Sequence, residues 1–236
     1  MPLKKSEFVA FLKNFLDLLY PDLCCACKNI LMQGERQICL HCSSRLPFTG
    51  FEHEKENSFT ALFWGRVPVE TSVALFYYQK GGIIQNLIHS FKYSANIRMG
   101  CFLGDLLGES IARSNLYRNI EFIVPVPLHK EKERKRGFNQ SKIIAGCISG
   151  KTNASCLNGV LERRGPTETQ TRKARYARWE NVSGSFGLTC SKAVKGRNIL
   201  LVDDVVTTGA TLEACANTLF DGGAARLWMA ALAISI

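Results

Sequence analysis

Two aspartates and three threonines in one short run carry the clearest chemistry in this chain. From Asn198 to Thr211 the sequence reads NILLVDDVVTTGAT. Ile199 to Val202 is an apolar run of the kind that forms a strand buried on both faces, as in a parallel sheet. Asp203 and Asp204 follow at once, at the strand end where open α/β sheets keep their ligands. Val205, Val206, Thr207, Thr208, Gly209, Ala210 and Thr211 then lead into a helical pattern from Leu212 to Phe220. Gly209 permits a tight turn in which backbone N–H groups converge on an anion. The helix start adds unsatisfied N–H donors and the favourable end of the dipole. The two carboxylates can accept the hydroxyls of a diol, or hold Mg²⁺ through water. No lysine follows the glycine, so this is not the usual nucleotide P-loop. A phosphorylated ribose satisfies both halves; the bland alternative is a strand and a Thr-rich helix cap with no ligand.

A second cluster with chemistry lies near the N-terminus. Cys24 and Cys27 form one C-x2-C, and Cys39 and Cys42 form another after eleven intervening residues. Two such knuckles can bring four thiolates around one tetrahedral zinc, and in so short a module the metal supplies folding energy. Cys25 competes locally with Cys24, and His41 sits inside the second pair. Four reduced, unliganded thiols are the alternative. A zinc ribbon does not by itself imply nucleic-acid binding.

The elements that must position these groups fit in 236 residues: one α/β domain and a small module. The sequence has no apolar run long enough to span a membrane. The start, MPLKKSEFVAF, lacks the hydrophobic core of a secretion signal, so a cytoplasmic location is expected. Ten cysteines then read as thiols or metal ligands in a reducing compartment rather than as a disulfide framework. The net charge of +10 favours anionic partners, whether a phosphate-rich small molecule or a nucleic acid. Nothing in the sequence sets an oligomeric state.

Taken in order, Ser6 to Leu19 carries Phe8, Phe11, Leu12, Phe15, Leu18 and Leu19 at helical spacing. Its polar side has few basic residues, so packing on the protein's own body is favoured over a membrane surface. Residues 1–20 are therefore an amphipathic helix, 21–47 the ribbon, 48–70 a connecting segment, and 71–236 the main domain. Within the connection, Phe59, Leu62, Phe63 and Trp64 are expected to pack back onto a neighbouring face. Strands are expected at Thr71–Tyr78, Ile120–Val126, Ala154–Leu161, Phe186–Leu188, Ile199–Val202 and Leu227–Ile234. Helices are expected over 83–93, 99–116, 141–148 and 210–220. Gly100, Gly104 and Gly108 recur every fourth residue, which suits close helix packing. His89 and Lys92 fall inside a helical pattern and read as packing or surface residues.

Two basic stretches adjoin predicted strand ends. Pro127, Leu128 and His129 lead into KEKERKR, where five of seven residues are basic, among them Lys132, Arg134, Lys135 and Arg136. Such a basic loop can meet pyrophosphate or a nucleic acid, or be a solvated turn. The second stretch has six basic residues from Arg163 to Arg178 in a long polar loop.

The DDVVTTGAT run resembles the signature of the type I phosphoribosyltransferases, which bind 5-phosphoribosyl 1-pyrophosphate (PRPP). The run PVPLH, the basic segment and RGFNQ resemble the ComF family, phosphoribosyltransferase-like proteins tied to DNA uptake in competent bacteria. The four-cysteine ribbon fits that family, and LFWGRVPVE resembles its Bacteroidetes form. Many members carry a further cysteine pair after the ribbon; residues 43–80 have none, so a second metal site is not expected here. The resemblance implies an α/β type I phosphoribosyltransferase fold, a mostly parallel sheet flanked by helices, with a small N-terminal zinc ribbon.

It implies that Asp203 and Asp204 face the ribose hydroxyls, that residues 205–211 wrap the 5′-phosphate, and that Mg²⁺ accompanies PRPP. Pro127, Leu128, His129, Arg163 and Arg178 would lie on the pyrophosphate side. Arg172 and Arg175 would act from a loop that closes over the site.

Three readings follow. The first is Mg²⁺-dependent phosphoribosyl transfer to an unnamed acceptor, with stabilisation of the departing pyrophosphate as the main task. A glutamine-using amidotransferase is not expected, because no glutaminase-like cysteine domain precedes. The second is a PRPP or ribose 5-phosphate sensor that binds single-stranded DNA and serves the DNA-uptake machinery without turnover. The third is a structural partner of a helicase or channel, marked by apolar surface on the first helix and around Trp64.

Overall fold

The computed structural model describes residues 21–93, 96–164 and 185–235. The expected helix at 6–19 and the loop residues Arg172, Arg175 and Arg178 lie outside them. The chain order begins with two short helices, α1 (Leu40–Ser43) and α2 (Ser58–Ala61). Then come β1 (Ser72–Tyr77), α3 (Ile83–Tyr93), α4 (Ile97–Arg113), β2 (Phe122–Pro125), α5 (Lys130–Arg136), α6 (Gln140–Lys151) and β3 (Ser155–Cys156). A two-stranded antiparallel ribbon, β4 (Leu161–Arg163) with β5 (Phe186–Leu188), precedes β6 (Asn198–Val206), α7 (Ala210–Asp221) and β7 (Arg226–Ile234).

Five strands form one sheet in the order β1-β7-β6-β2-β3, and every pairing in it is parallel. The apolar run of β6 is fully buried from Ile199 to Val202, and β7 is buried from Leu227 to Ile234. Covering both faces requires helices on both sides. The crossovers from β1 to β2 and from β2 to β3 run one way across the sheet, and the crossover from β6 to β7 runs the other way. With right-handed crossovers, α4 and α6 then lie on one face and α7 on the opposite face. The strand order reverses between β2 and β6, which makes their carboxyl ends the switch point of the sheet.

The glycine triplet does what its spacing predicts. A Cβ on Gly104 would approach Cys147 and the backbone of Ile144, and one on Gly108 the backbone of Ile148, so α4 and α6 meet nearly backbone to backbone. Gly100 instead faces the ring of Phe91 on α3.

Four local expectations are corrected. The strand expected over 154–161 is two short strands, β3 and β4, parted by a turn in which Gly159 has φ 75°. The basic segment 130–136 is a helix rather than a loop: His129 accepts from the Glu131 N–H at its start, and Gly137 closes it at φ 83°. Strand β6 runs on to Val206, because β7 keeps pairing with it through Val206 and Ile234 after β2 has stopped at Pro125. Trp64 is 63% exposed rather than packed, since Phe59 and Phe63 take the inward face of that segment.

The segment 47–49 covers the outer edge of β1, with Thr49 N–H donating to Leu75 O at 3.1 Å and Tyr77 N–H to Pro47 O at 2.9 Å. An edge covered in this way cannot template pairing with another chain.

Candidate phosphosugar site and metal centre

Because β2 ends at Pro125 while β6 continues, the last residues of β6 have a paired side toward β7 and an open side toward β2. Asp203 and Asp204 stand at this step. Asp203 Oδ1 accepts from Ser141 Oγ at 3.0 Å and from the Asp204 N–H at 2.9 Å. Ser141 is placed by the start of α6, where Asn139 Oδ1 accepts from its N–H at 3.0 Å and Asn139 Nδ2 donates to Val126 O at 3.0 Å. Asp204 Oδ2 is ion-paired with Lys92 Nζ at 2.7 Å. Asp203 Oδ2 and Asp204 Oδ1 have no hydrogen-bond partner among the described residues. Burial, then the neighbouring Asp204 charge, push the Asp203 carboxyl up to about 7, against the opposing pull of the Asp204 N–H, Ser141 and Lys92.

The loop after the acid pair turns at Gly209, which has φ 76° and stands at the N-terminus of the twelve-residue α7. Its positive φ frees the helix N–H groups to point outward. Thr207 and Thr208 are exposed. The connecting segment buttresses this turn: Phe63 packs against Gly209, and Arg66 pairs with Glu213 in the first turn of α7.

On the other side of the crevice, Pro127, Leu128 and His129 follow β2. His129 and Lys130 line an open cleft of about 400 Å³ with Glu162, Arg163 and Arg164. The cleft thus brings His129 and Arg163, two residues expected on the pyrophosphate side, to one place. A partly open pocket of about 190 Å³ lies at the opposite end of the sheet, lined by Ile111, Tyr117, Ile123 and Leu200 among others. None of the residues singled out for chemistry reaches it.

The basic helix α5 is solvent-facing, with no buried residue. Lys132, Arg134 and Lys135 are exposed and have no ion pair among the described residues. Arg136 differs. Its Nη1 donates to Gln140 Oε1 at 2.8 Å, and its guanidinium lies 5.4 Å from the centre of the Tyr93 ring.

Around the N-terminal cysteines, the sulfurs of Cys24, Cys27, Cys39 and Cys42 all lie within 4.8 Å of one another. The Cys27 and Cys39 sulfurs are 3.8 Å apart. Tetrahedral zinc with bonds of about 2.3 Å needs sulfur–sulfur edges of about 3.8 Å, so the set fits that ion. The Cys39 N–H donates to Cys24 Sγ at 3.3 Å. Burial alone would push the Cys24 thiol up, but N–H bonds from Cys27, Cys39 and Ala26 outweigh it and bring it down to about 6. Cys25, the local competitor, turns away to Gln37 Oε1 at 3.9 Å, and His41 pairs with Arg45. The module is docked on the main domain: Asn86 of α3 donates to Ala26 O at 2.9 Å, and Asn96 Nδ2 reaches Gln37 Oε1 at 3.2 Å.

Sequence reasoning missed Lys92. Its position in the amphipathic pattern of α3 gives no hint of a partner so far along the chain. The one available signal was a lysine at the C-terminal turn of a helix that follows the first strand of the sheet.

The molecule is therefore an α/β protein whose parallel sheet carries, at its switch point, an acid pair that runs into a Thr-Gly helix start, preceded by a four-cysteine module suited to zinc. The chain is 28% identical over 218 residues to competence protein ComFC of Bacillus subtilis, a match covering 89% of this chain and 83% of that one. It is 31% identical over 144 residues to the DNA utilization protein YhgH of Escherichia coli, covering 60% of this chain and 63% of that protein. It is 32% identical over 131 residues to competence protein F of Haemophilus influenzae, covering 54% and 57%. The last two matches span less than two thirds of those relatives' length. The chain is a relative of the ComF proteins, as its motifs imply.

No family model matches it. Two solved structures superpose with TM-scores of 0.41 and 0.40, at 16% and 18% identity. They are a glutamine PRPP amidotransferase from B. subtilis and an allosteric regulatory enzyme of purine biosynthesis, each covered over 26% of its length. At that overlap they carry no weight beside the sheet and the curated relatives. Among the described residues, no helix is long and apolar enough to cross a membrane.

Proposed function

We propose that the chain binds PRPP, or ribose 5-phosphate, in the crevice at the carboxyl ends of β2 and β6, and that it acts in DNA uptake. One observation carries the ligand assignment. Two carboxylate oxygens, Asp203 Oδ2 and Asp204 Oδ1, are left unpaired beside a glycine turn that opens a helix. Carboxylates suit a diol and the helix start suits a phosphate, and a phosphorylated ribose has both groups on one small ring. The DNA-uptake role is supported by the similarity to competence proteins of B. subtilis and H. influenzae.

In this reading Asp203 and Asp204 orient the ribose, residues 205–211 take its 5′-phosphate, and His129 and Arg163 face the pyrophosphate. Bound Mg²⁺, held through water by the acid pair, would supply further neutralisation of the leaving group. Transfer then needs only a nucleophile at the ribose anomeric carbon and a site that stabilises negative charge on the departing pyrophosphate.

A second reading keeps the same ligand without turnover and adds single-stranded DNA. The observation that favours it is the row of unpaired cations on α5, Lys132, Arg134 and Lys135. Calorimetric titration of the full chain with PRPP, with and without Mg²⁺, tests the shared part; no binding at millimolar ligand would overturn it. Following pyrophosphate release with candidate bases and amines separates the two readings.

A further inference from the structure

Helix α3 delivers one side chain to the acid pair. Its inward face, Ile84, Leu87, Ile88 and Phe91, is buried, and Lys92 follows in the last turn. Only 18% of the Lys92 side chain is exposed, and Asp204 opposite it is 14% exposed. The four-carbon stem is thus covered while the ammonium meets Asp204 Oδ2 at 2.7 Å.

As a structural tie this arrangement has little to recommend it. A buried ion pair roughly breaks even against an apolar pair of the same volume. The C-terminal turn of α3 would itself have offered the ammonium carbonyl oxygens nearer by. The charge of the site gives a better account. A sugar bearing phosphate and pyrophosphate must approach two adjacent carboxylates, and like charges at that range repel unless a cation is fixed between them. Lys92 is the only lysine or arginine ion-paired with either aspartate among the described residues. An ammonium has three N–H donors, and the ion pair with Asp204 leaves donors free for a ligand. The diol and the leaving group sit on neighbouring ribose carbons. A cation ion-paired with the carboxylate that takes the diol therefore reaches the leaving group as well.

We propose that Lys92 is a ligand-binding residue of this site, its ammonium shared between Asp204 and an oxygen of the pyrophosphate. This rests on the phosphosugar reading and adds a specificity to it: Lys92 favours the pyrophosphate-bearing sugar over the monophosphate.

Titrating the wild type, Lys92→Met and Lys92→Arg with PRPP and with ribose 5-phosphate tests it. Lys92→Met should lose about 10- to 100-fold in PRPP affinity, the usual cost of a charge-assisted contact. Its affinity for ribose 5-phosphate should stay within about threefold of wild type, a shift of well under 1 kcal/mol. Lys92→Arg should recover most of the loss, and Lys92→Gln, which keeps a polar stem without charge, serves where Lys92→Met does not fold. Equal losses for both ligands would reduce Lys92 to a tie between α3 and β6 and overturn the inference alone. Wild-type protein that binds neither ligand would overturn the phosphosugar reading, and this inference with it.

Discussion

Gly209 and the ring of Phe63 meet under the turn that opens α7: a Cβ on Gly209 would stand 3.0 Å from Phe63 Cε1. Phe63 is fully buried, so its ring has little room to retreat. Gly209 also holds φ 76°, where an alanine costs about 1–2 kcal/mol. Gly209→Ala should lower the melting temperature by about 2–8 °C, given about 2–4 °C per kcal/mol for a domain of this size. It should also weaken binding of PRPP and of free phosphate alike, because the loop N–H groups turn away. Thermal melts and a phosphate titration check both. Restoring room with Phe63→Leu in the same chain should recover part of the melting temperature and none of the phosphate affinity, since the backbone conformation is still wrong for alanine.

The four-sulfur cluster predicts a metal dependence confined to four positions. Purified, reduced protein should carry about one equivalent of zinc by elemental analysis. Cys27→Ser should lower that content and destabilise the module, and stripping the metal with a chelator should have the same effect. Cys25→Ser should leave the metal content unchanged, because that sulfur faces Gln37 and Asn96. Loss of zinc from the Cys25 variant would move the ligand set.

Asp203 gives the site a pH dependence whose sign can be stated. Its carboxyl lies up at about 7 in the folded protein and near the ordinary value of 3.8 when unfolded. Between those values the folded state holds the extra proton, so the group's contribution to stability falls as pH rises through that window. Asp203→Asn cannot ionise and should gain on the wild type in melting temperature as pH rises from about 4 to about 7. Ligand binding should respond the other way, since a diol is held best by the ionised carboxylate: wild-type affinity should climb as pH passes about 7. Melts and titrations over the same buffers check both signs. A constant difference between variant and wild type would mean that Asp203 ionises normally.

What could be read from the sequence depended on how local the cause was. Ile199 to Val202 announced a buried strand because four apolar residues in a row need no distant partner to be recognised. The glycine triplet announced close packing for the same reason, although not that Gly100 would meet Phe91 rather than α6. Asp203 and Asp204 read as the end of a strand, since charged residues seldom continue one; the ladder with β7, set elsewhere in the chain, carries β6 past them. The choice of Cys24 over Cys25 turned on Gln37 and Asn96, which lie far from both in sequence. Lys92 was invisible because its meaning lies wholly in Asp204, brought to it by the sheet. The helix at 130–136 was legible in hindsight from His129 at its cap and Gly137 past its end.

Helix α5 separates four of its five basic residues, which look equivalent in sequence. Lys132, Arg134 and Lys135 project from it without ion pairs among the described residues, whereas Arg136 is engaged by Gln140 and by the ring of Tyr93. If single-stranded DNA binds through this helix, these three cations should meet phosphates and release counter-ions. Reversing Lys132, Arg134 and Lys135 to glutamate should weaken binding strongly at low salt. It should also flatten the slope of log affinity against log salt by about 2, at about 0.7 per phosphate contact on a single strand. Arg136→Gln should change that slope much less, and should instead loosen Tyr93 and the start of α6, where Ser141 holds Asp203. Its effect would then fall on PRPP affinity. Fluorescence titrations of labelled single-stranded DNA at several salt concentrations, run beside PRPP calorimetry on both variants, give the two readouts. A slope that survives loss of these three cations would remove this face of α5 from the DNA path, and leave the phosphosugar site untouched.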